Sequence, residues 1–139
     1  MKMEVDPALI GQEYDHTTIA PVTEAEIREY VEASNEIPAS EVDVEDLIAP
    51  PTFVVRLRGR RFMPGGMPRM GRTGFDAGKD IEFGVPVRPG DVLTASSTVH
   101  DVYEKTGRSG SMAFIVLRTV VTNQRDQLVA TIDQKMMFR

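Results

Sequence analysis

The sequence predicts an α+β domain in which one long antiparallel sheet packs against a helix, and three observations lead there. Two helix-like segments with apolar residues at helical spacing come first. At least four strand-like segments then follow one another with no helix between them, and the links joining them are short polar turns. Strands joined in that way pair antiparallel. At 139 residues and 41% hydrophobic content the chain has material for one domain, residues 1–139, which buries about two thirds of the surface its unfolded chain would expose.

Taken in order, Gly11 to Ala20 carries Tyr14 and the β-favouring run Thr17-Thr18-Ile19, which suits an edge strand or an extended arm ended by Pro21. Thr23 and Glu26 form a T-x-x-E capping box, and Ile27, Tyr30 and Val31 then fall on one helical face, so a helix should run to about Ser34. The loop Ala33 to Ser40 follows its C-terminal end, and the acidic stretch Glu41 to Asp46 reads as a surface turn or short helix. A second helix is expected from about Pro51, because proline at the first helical position sacrifices no hydrogen bond. Phe53, Val54, Leu57 and Phe62 would form its apolar stripe, with Gly59 interrupting it. Two prolines and four glycines between Met63 and Gly74 prevent any regular element from continuing.

After Phe75 the pattern becomes that of strands. Ile81, Phe83, Val85 and Val87 alternate with Glu82, Gly84 and Pro86, the period of a sheet with one face on a core, and Pro86 favours an edge or a bulge. Arg88 to Asp91 makes a turn, Val92 to Tyr103 a second strand, and Thr106 to Gly110 a link to Met112–Val121, whose nearly unbroken apolar run predicts a central strand. Asn123 to Gln127 turns the chain into a last strand, Leu128 to Phe138.

Charge and composition restrict the function. The net charge is −5, yet between Leu47 and Asp76 no acidic residue precedes Asp76, while Arg56, Arg58, Arg60, Arg61, Arg69 and Arg72 all lie in that interval. A local basic block in an acidic chain suits a compact anion such as a phosphorylated group; a nucleic acid would require a broader basic face. The alternative is that these arginines solvate a helix face or pair with an acidic partner subunit. There is no cysteine, so disulfides and thiolate metal clusters are excluded. His16 and His100 are far apart and stand in no metal-ligand spacing, and Gly65-Gly66 and Gly71-x-x-Gly74 lack the flanking strand, helix and lysine of a phosphate-cradling loop. The first residues have no signal-peptide apolar run, and no stretch approaches the roughly 18 apolar residues of a membrane span, so a cytoplasmic protein is expected.

Four groups of residues carry a family resemblance: Ala49-Pro50-Pro51-Thr52-Phe53, the F-x-x-P-V-x-P-G-D pattern from Phe83 to Asp91, Glu104-Lys105, and Thr122-Asn123. Their order and spacing, with the loop around Pro38, resemble the MaoC-like dehydratase N-terminal family of the hotdog superfamily over nearly the whole chain. The resemblance implies a single hotdog fold, with a long antiparallel sheet wrapped around a central helix that is short or interrupted. In catalytic relatives of that superfamily the loop reads roughly G-D-x-N-P-x-H, and its acid and imidazole together activate water. Here Asn35 stands at the acid position and Ser40 at the histidine position. An amide accepts no proton at neutral pH, and a serine hydroxyl without an adjacent base is a poor proton shuttle.

The resemblance therefore implies no catalytic residue in this chain. It implies a non-catalytic subunit of a heteromeric (R)-specific enoyl-CoA hydratase or 3-hydroxyacyl thioester dehydratase, paired with a hotdog partner that keeps the acid and the histidine. Coenzyme A would be present as part of the acyl-CoA substrate, with no other cofactor and no metal. Phe53, Met63, Met67 and Met70 would shape the acyl site, thioethers being adaptable packing groups, and Arg69 and Arg72 would meet the CoA phosphates. The methionines equally suit a plain cover for a helix end. Two other functions stay open: a self-associating hotdog that binds acyl thioesters without turnover, and an enzyme using an acid such as Asp76 or Asp80. Thioesterase chemistry is disfavoured because Phe53 to Arg61 contains no carboxylate, with Asp46, just before it, the one acid left open for that role.

Overall fold

The computed structural model describes residues 6–34, 41–65 and 71–139. Its regular elements are β1 (Glu13–Ile19), α1 (Glu24–Ala33), a 3-10 helix (Pro51–Arg56), β2 (Gly74–Phe83), β3 (Leu93–Gly107), β4 (Gly110–Thr122) and β5 (Leu128–Phe138), with a further 3-10 turn at Pro7–Leu9. The strands form one five-stranded sheet in the order β1-β3-β4-β5-β2, every neighbouring pair antiparallel. Together with the helical segments this is the hotdog arrangement, α+β.

Local chemistry accounts for most boundaries. The Thr23 hydroxyl accepts the Glu26 backbone N–H at 3.1 Å, which caps α1, and Ile27 and Val31 turn its apolar stripe into the core. The apolar strand β4 lies at the centre of the sheet, where both of its edges are paired and Ile115, Val116 and Leu117 are buried in succession. The β1 strand is an edge, one of the two forms that its β-favouring run Thr17-Thr18-Ile19 suited.

Two elements differ from expectation. The segment from Pro51 is a six-residue 3-10 helix, and the backbone at Leu57 is already extended. The residues beyond it are held by another element: the Asp15 side chain on β1 accepts the Arg60 backbone N–H at 2.9 Å and the Thr17 hydroxyl at 2.9 Å. A Cβ on Gly59 would collide with that carboxylate, so glycine is what lets the loop come this close. The second difference is in β2, which begins at Gly74 and ends at Phe83, so that Val85 and Val87 lie beyond it. Gly84 and Val85 still donate to the Val129 and Leu128 carbonyls, and Val87 is buried while Phe83 is exposed.

The buried face of the sheet carries two apolar clusters. The first gathers α1, the 3-10 helix and one end of the sheet, including Ile27, Phe53, Leu93, Ala95, Val121 and Ala130. The second lies at the other end and includes Leu9, Val99, Val102, Ile115 and Leu117, with Met63 packed on it. Strand register explains the gap between them. Ser97, opposite Thr119, falls between Ala95 of the first cluster and Val99 of the second, so a polar pair crosses the face where the short helix ends.

Candidate functional site

A cleft of about 250 Å³ opens over that polar pair. Its floor is set by register. Ser97, Thr119 and Ile132 occupy one rank across β3, β4 and β5, and Leu117, Gln134 and Lys79 occupy the next across β4, β5 and β2. Its roof is the end of the 3-10 helix and the loop after it, through Val55, Leu57, Arg58, Arg61 and Phe62. A longer helix continuing past Arg56 would cover this ground.

The floor is a connected hydroxyl system. Ser97 is buried, and its Oγ lies 2.9 Å from the Thr119 Oγ1. Tyr14 bonds the same serine; burial raises the phenol's pKa, and the Ser97 bond partly offsets this. The Gln134 amide donates to Asp76 Oδ1 at 2.8 Å and to the Gly78 carbonyl at 3.2 Å. Asp76 also accepts the Gly78 backbone N–H at 2.8 Å, and these bonds hold its carboxyl below the usual carboxylate range. Asp76 thus shapes the irregularity in β2 between Asp76 and Lys79, and its preference for the ionised form is the reverse of what a general acid requires.

The rim is cationic. Arg56, Arg58, Arg61 and Lys79 line the cleft and no lining residue is acidic; the three arginines have no ion-pair partner among the described residues, while Lys79 lies within electrostatic reach of the Asp76 carboxylate. Arg56 instead lies over the Phe53 ring, 5.0 Å from its centroid.

The histidines do not enter the cleft. His16 pairs in register with Ser96, next to Ser97 and so on the opposite face of the sheet, and its Nδ1 lies 3.7 Å from Glu13 Oε1 with both side chains well exposed. His100 is exposed beside Asp133, whose carboxylate is taken up by a two-bond pair with Arg118, both bonds 2.7 Å. That pairing holds the Asp133 carboxyl below its usual range.

Of the residues expected to form the site, Phe53 is in the first cluster with 1% exposure, packs edge-on to Tyr30 at 5.4 Å and lines neither described cavity. Met63 is half-buried on the second cluster, beside the cleft-lining Phe62. Arg72 is away from the cleft, its backbone N–H donating to the Arg139 carbonyl at 3.0 Å. Asn35, Ser40, Met67, Arg69 and Met70 lie outside the described residues. The sequence did expose the arginine block, but it gave no sign of Tyr14, Ser97, Thr119, Lys79 and Gln134 meeting at one place; only strand register brings them together. A second, apolar groove of about 120 Å³ runs between Ile48, Pro51, Val54 and the end of β2 at Phe83. No described helix is long and apolar enough to cross a membrane, and no group of three or more potential metal ligands occurs among the described residues.

Comparison with known proteins matches residues 8–132 to the model of the FAS1-like dehydratase domain region. A UPF0336 protein of Streptomyces griseus is 31% identical, with 99% of this chain and 97% of that one aligned. Among solved structures, the MaoC-like dehydratase of Rhodospirillum rubrum superposes with a TM-score of 0.66 at 20% identity, covering 93% of this chain and 91% of that one. The HadBC (3R-hydroxyacyl-ACP dehydratase) complex of Mycobacterium tuberculosis gives a TM-score of 0.63 at 22% identity, covering 93% and 96%.

Proposed function

Because the chain belongs to the FAS1-like dehydratase-region family, of MaoC-like hotdog fold, we propose that it is the non-catalytic subunit of a heteromeric (R)-specific enoyl-CoA hydratase or 3-hydroxyacyl thioester dehydratase. The observation that carries this reading is in the sequence: in the stretch after α1 that resembles the family's catalytic motif, Asn35 and Ser40 would stand in place of the acid and the histidine. The described residues supply no substitute in the cleft: its lining contains neither a carboxylate nor an imidazole. A hotdog partner that retains both groups would activate water and move the proton, and this chain would furnish the second wall of the substrate groove. That HadBC, a structural neighbour, is itself a 3R-hydroxyacyl-ACP dehydratase complex supports such a pairing.

The partner's place is on β2. Nine of its ten residues are exposed, only Ile81 being partly covered, and its outer edge has no strand beside it among the described residues. A long, unpaired edge is a template for another strand. Docking there would leave the cleft facing the shared groove, since Lys79 belongs to both β2 and the rim.

The test is reconstitution with a hotdog subunit that carries the D-x4-H loop. The reading expects the two chains to co-purify, and hydration of a 2-enoyl-CoA by the mixture to vanish when the partner's acid is replaced by asparagine. Tight binding of acyl thioesters with no turnover in any mixture would instead identify a self-associating binding protein.

A further inference from the structure

The cleft's chemistry is unusual for a wall meant only to hold a hydrocarbon. Leu57, Phe62, Leu117 and Ile132 offer apolar contact, but the floor between them is the hydroxyl pair Ser97 and Thr119, and the rim is basic. An alkyl chain laid across that floor would gain nothing from the hydroxyls, while the rim cations would stay in water. A ligand with an apolar body and an oxyanion would satisfy both parts. Guanidinium groups bind carboxylate and phosphate oxygens through paired N–H donors, and no lining carboxylate competes for them.

We propose that the cleft binds an oxyanion attached to a short apolar segment, with Arg58, Arg61 and Lys79 holding the anion at the rim and Leu57, Phe62, Leu117 and Ile132 packing the segment. The inference rests on the acyl-thioester reading above and narrows it: the substrate brings a negative charge to this cleft. Two parts of a thioester could supply that charge, a carboxylate at the far end of the acyl chain or the phosphate of the pantetheine arm. Fixing the loop to β1 through Asp15 and Gly59 holds Arg58 and Arg61 where the anion would sit, which limits the ordering cost of binding.

Three ligands separate the possibilities, measured by calorimetry on the full chain alone: octanoyl-pantetheine, its analogue with a carboxylate in place of the terminal methyl, and octanoyl-4′-phosphopantetheine. At least one of the charged ligands should bind ten-fold or more tightly than the neutral one, the expected scale for charge-assisted hydrogen bonds, and the one that gains identifies the source. The gain should shrink when salt screens the rim. In the Arg58→Gln/Arg61→Gln variant the charged ligand's advantage over octanoyl-pantetheine should disappear, with an unchanged circular-dichroism spectrum and unfolding midpoint showing that the fold is intact. Equal affinity for all three ligands, a gain that survives in the double variant, or no binding of either charged ligand at millimolar concentration would overturn the proposal. Because these readings need no partner and no turnover, they stand or fall separately from the hydratase assignment.

Discussion

At the scale of single residues, one contact pins the loop over the cleft and another, on the opposite face of the sheet, ties β4 to β5. Gly59 is demanded by proximity, since any side chain there meets the Asp15 carboxylate that holds Arg60. Gly59→Ala should therefore destabilise the protein by about 1–3 kcal/mol, the cost of an overpacked contact, with a lower denaturant midpoint and an unchanged m-value in equilibrium unfolding. A variant as stable as the parent would show that the loop is not pinned there. The Arg118–Asp133 pair bears on pH. Asp133 in the folded chain has its pKa lowered by the arginine, so the unfolded chain takes up the proton first as pH falls. The pair's contribution is present above the ordinary aspartate range, near pH 4, and is lost as pH drops through the lower folded value. Asp133→Asn should cost about 1 kcal/mol at pH 7 and flatten the acid limb of a stability profile; a profile unchanged below pH 4 would contradict this.

At the scale of elements, caps and periodicity were legible in the sequence. The T-x-x-E signal located the start of α1 because its geometry depends on four neighbouring residues alone, and the unbroken apolar run identified β4 as the central strand for the same local reason. Thr23→Ala should remove the cap and lower stability by about 1 kcal/mol, a fall of a few degrees in Tm readable by circular dichroism. What was not legible depended on distant partners. The helix from Pro51 and its shortness were visible, but its 3-10 form and its end at Arg56 were not, and that end reflects the capture of the next residues by β1, forty-odd positions away. The alternation through Val85 and Val87 looked like one strand, yet it is divided at Phe83, where Gly84 packs against the Leu128 carbonyl closely enough to exclude a side chain. The polar floor was hidden for a similar reason: Ser97 and Thr119 are unremarkable in sequence until register places them face to face between two apolar clusters. Ser97→Ala should cost about 1 kcal/mol by depriving Tyr14 and Thr119 of their shared partner, a loss that chemical denaturation would detect.

For the whole molecule, the sheet, the short helix and the family membership agree on a hotdog dehydratase scaffold, and under the proposed function Asn35 and Ser40 replace the acid and the histidine of catalytic relatives. That proposed substitution is readable because the motif is contiguous in sequence. The cleft was not legible in the sequence: Phe53 lies in the core, and the cleft's lining comes from five strands, the end of the 3-10 helix and the loop after it. On the proposed reading, the exposed β2 edge and the basic cleft would form one half of a two-subunit site. The most direct measurement is the hydration rate of a trans-2-enoyl-CoA by the purified chain with no other protein present. The account predicts a rate indistinguishable from buffer alone; an ordinary enzymatic rate, abolished by changing a carboxylate of this chain to its amide, would contradict it.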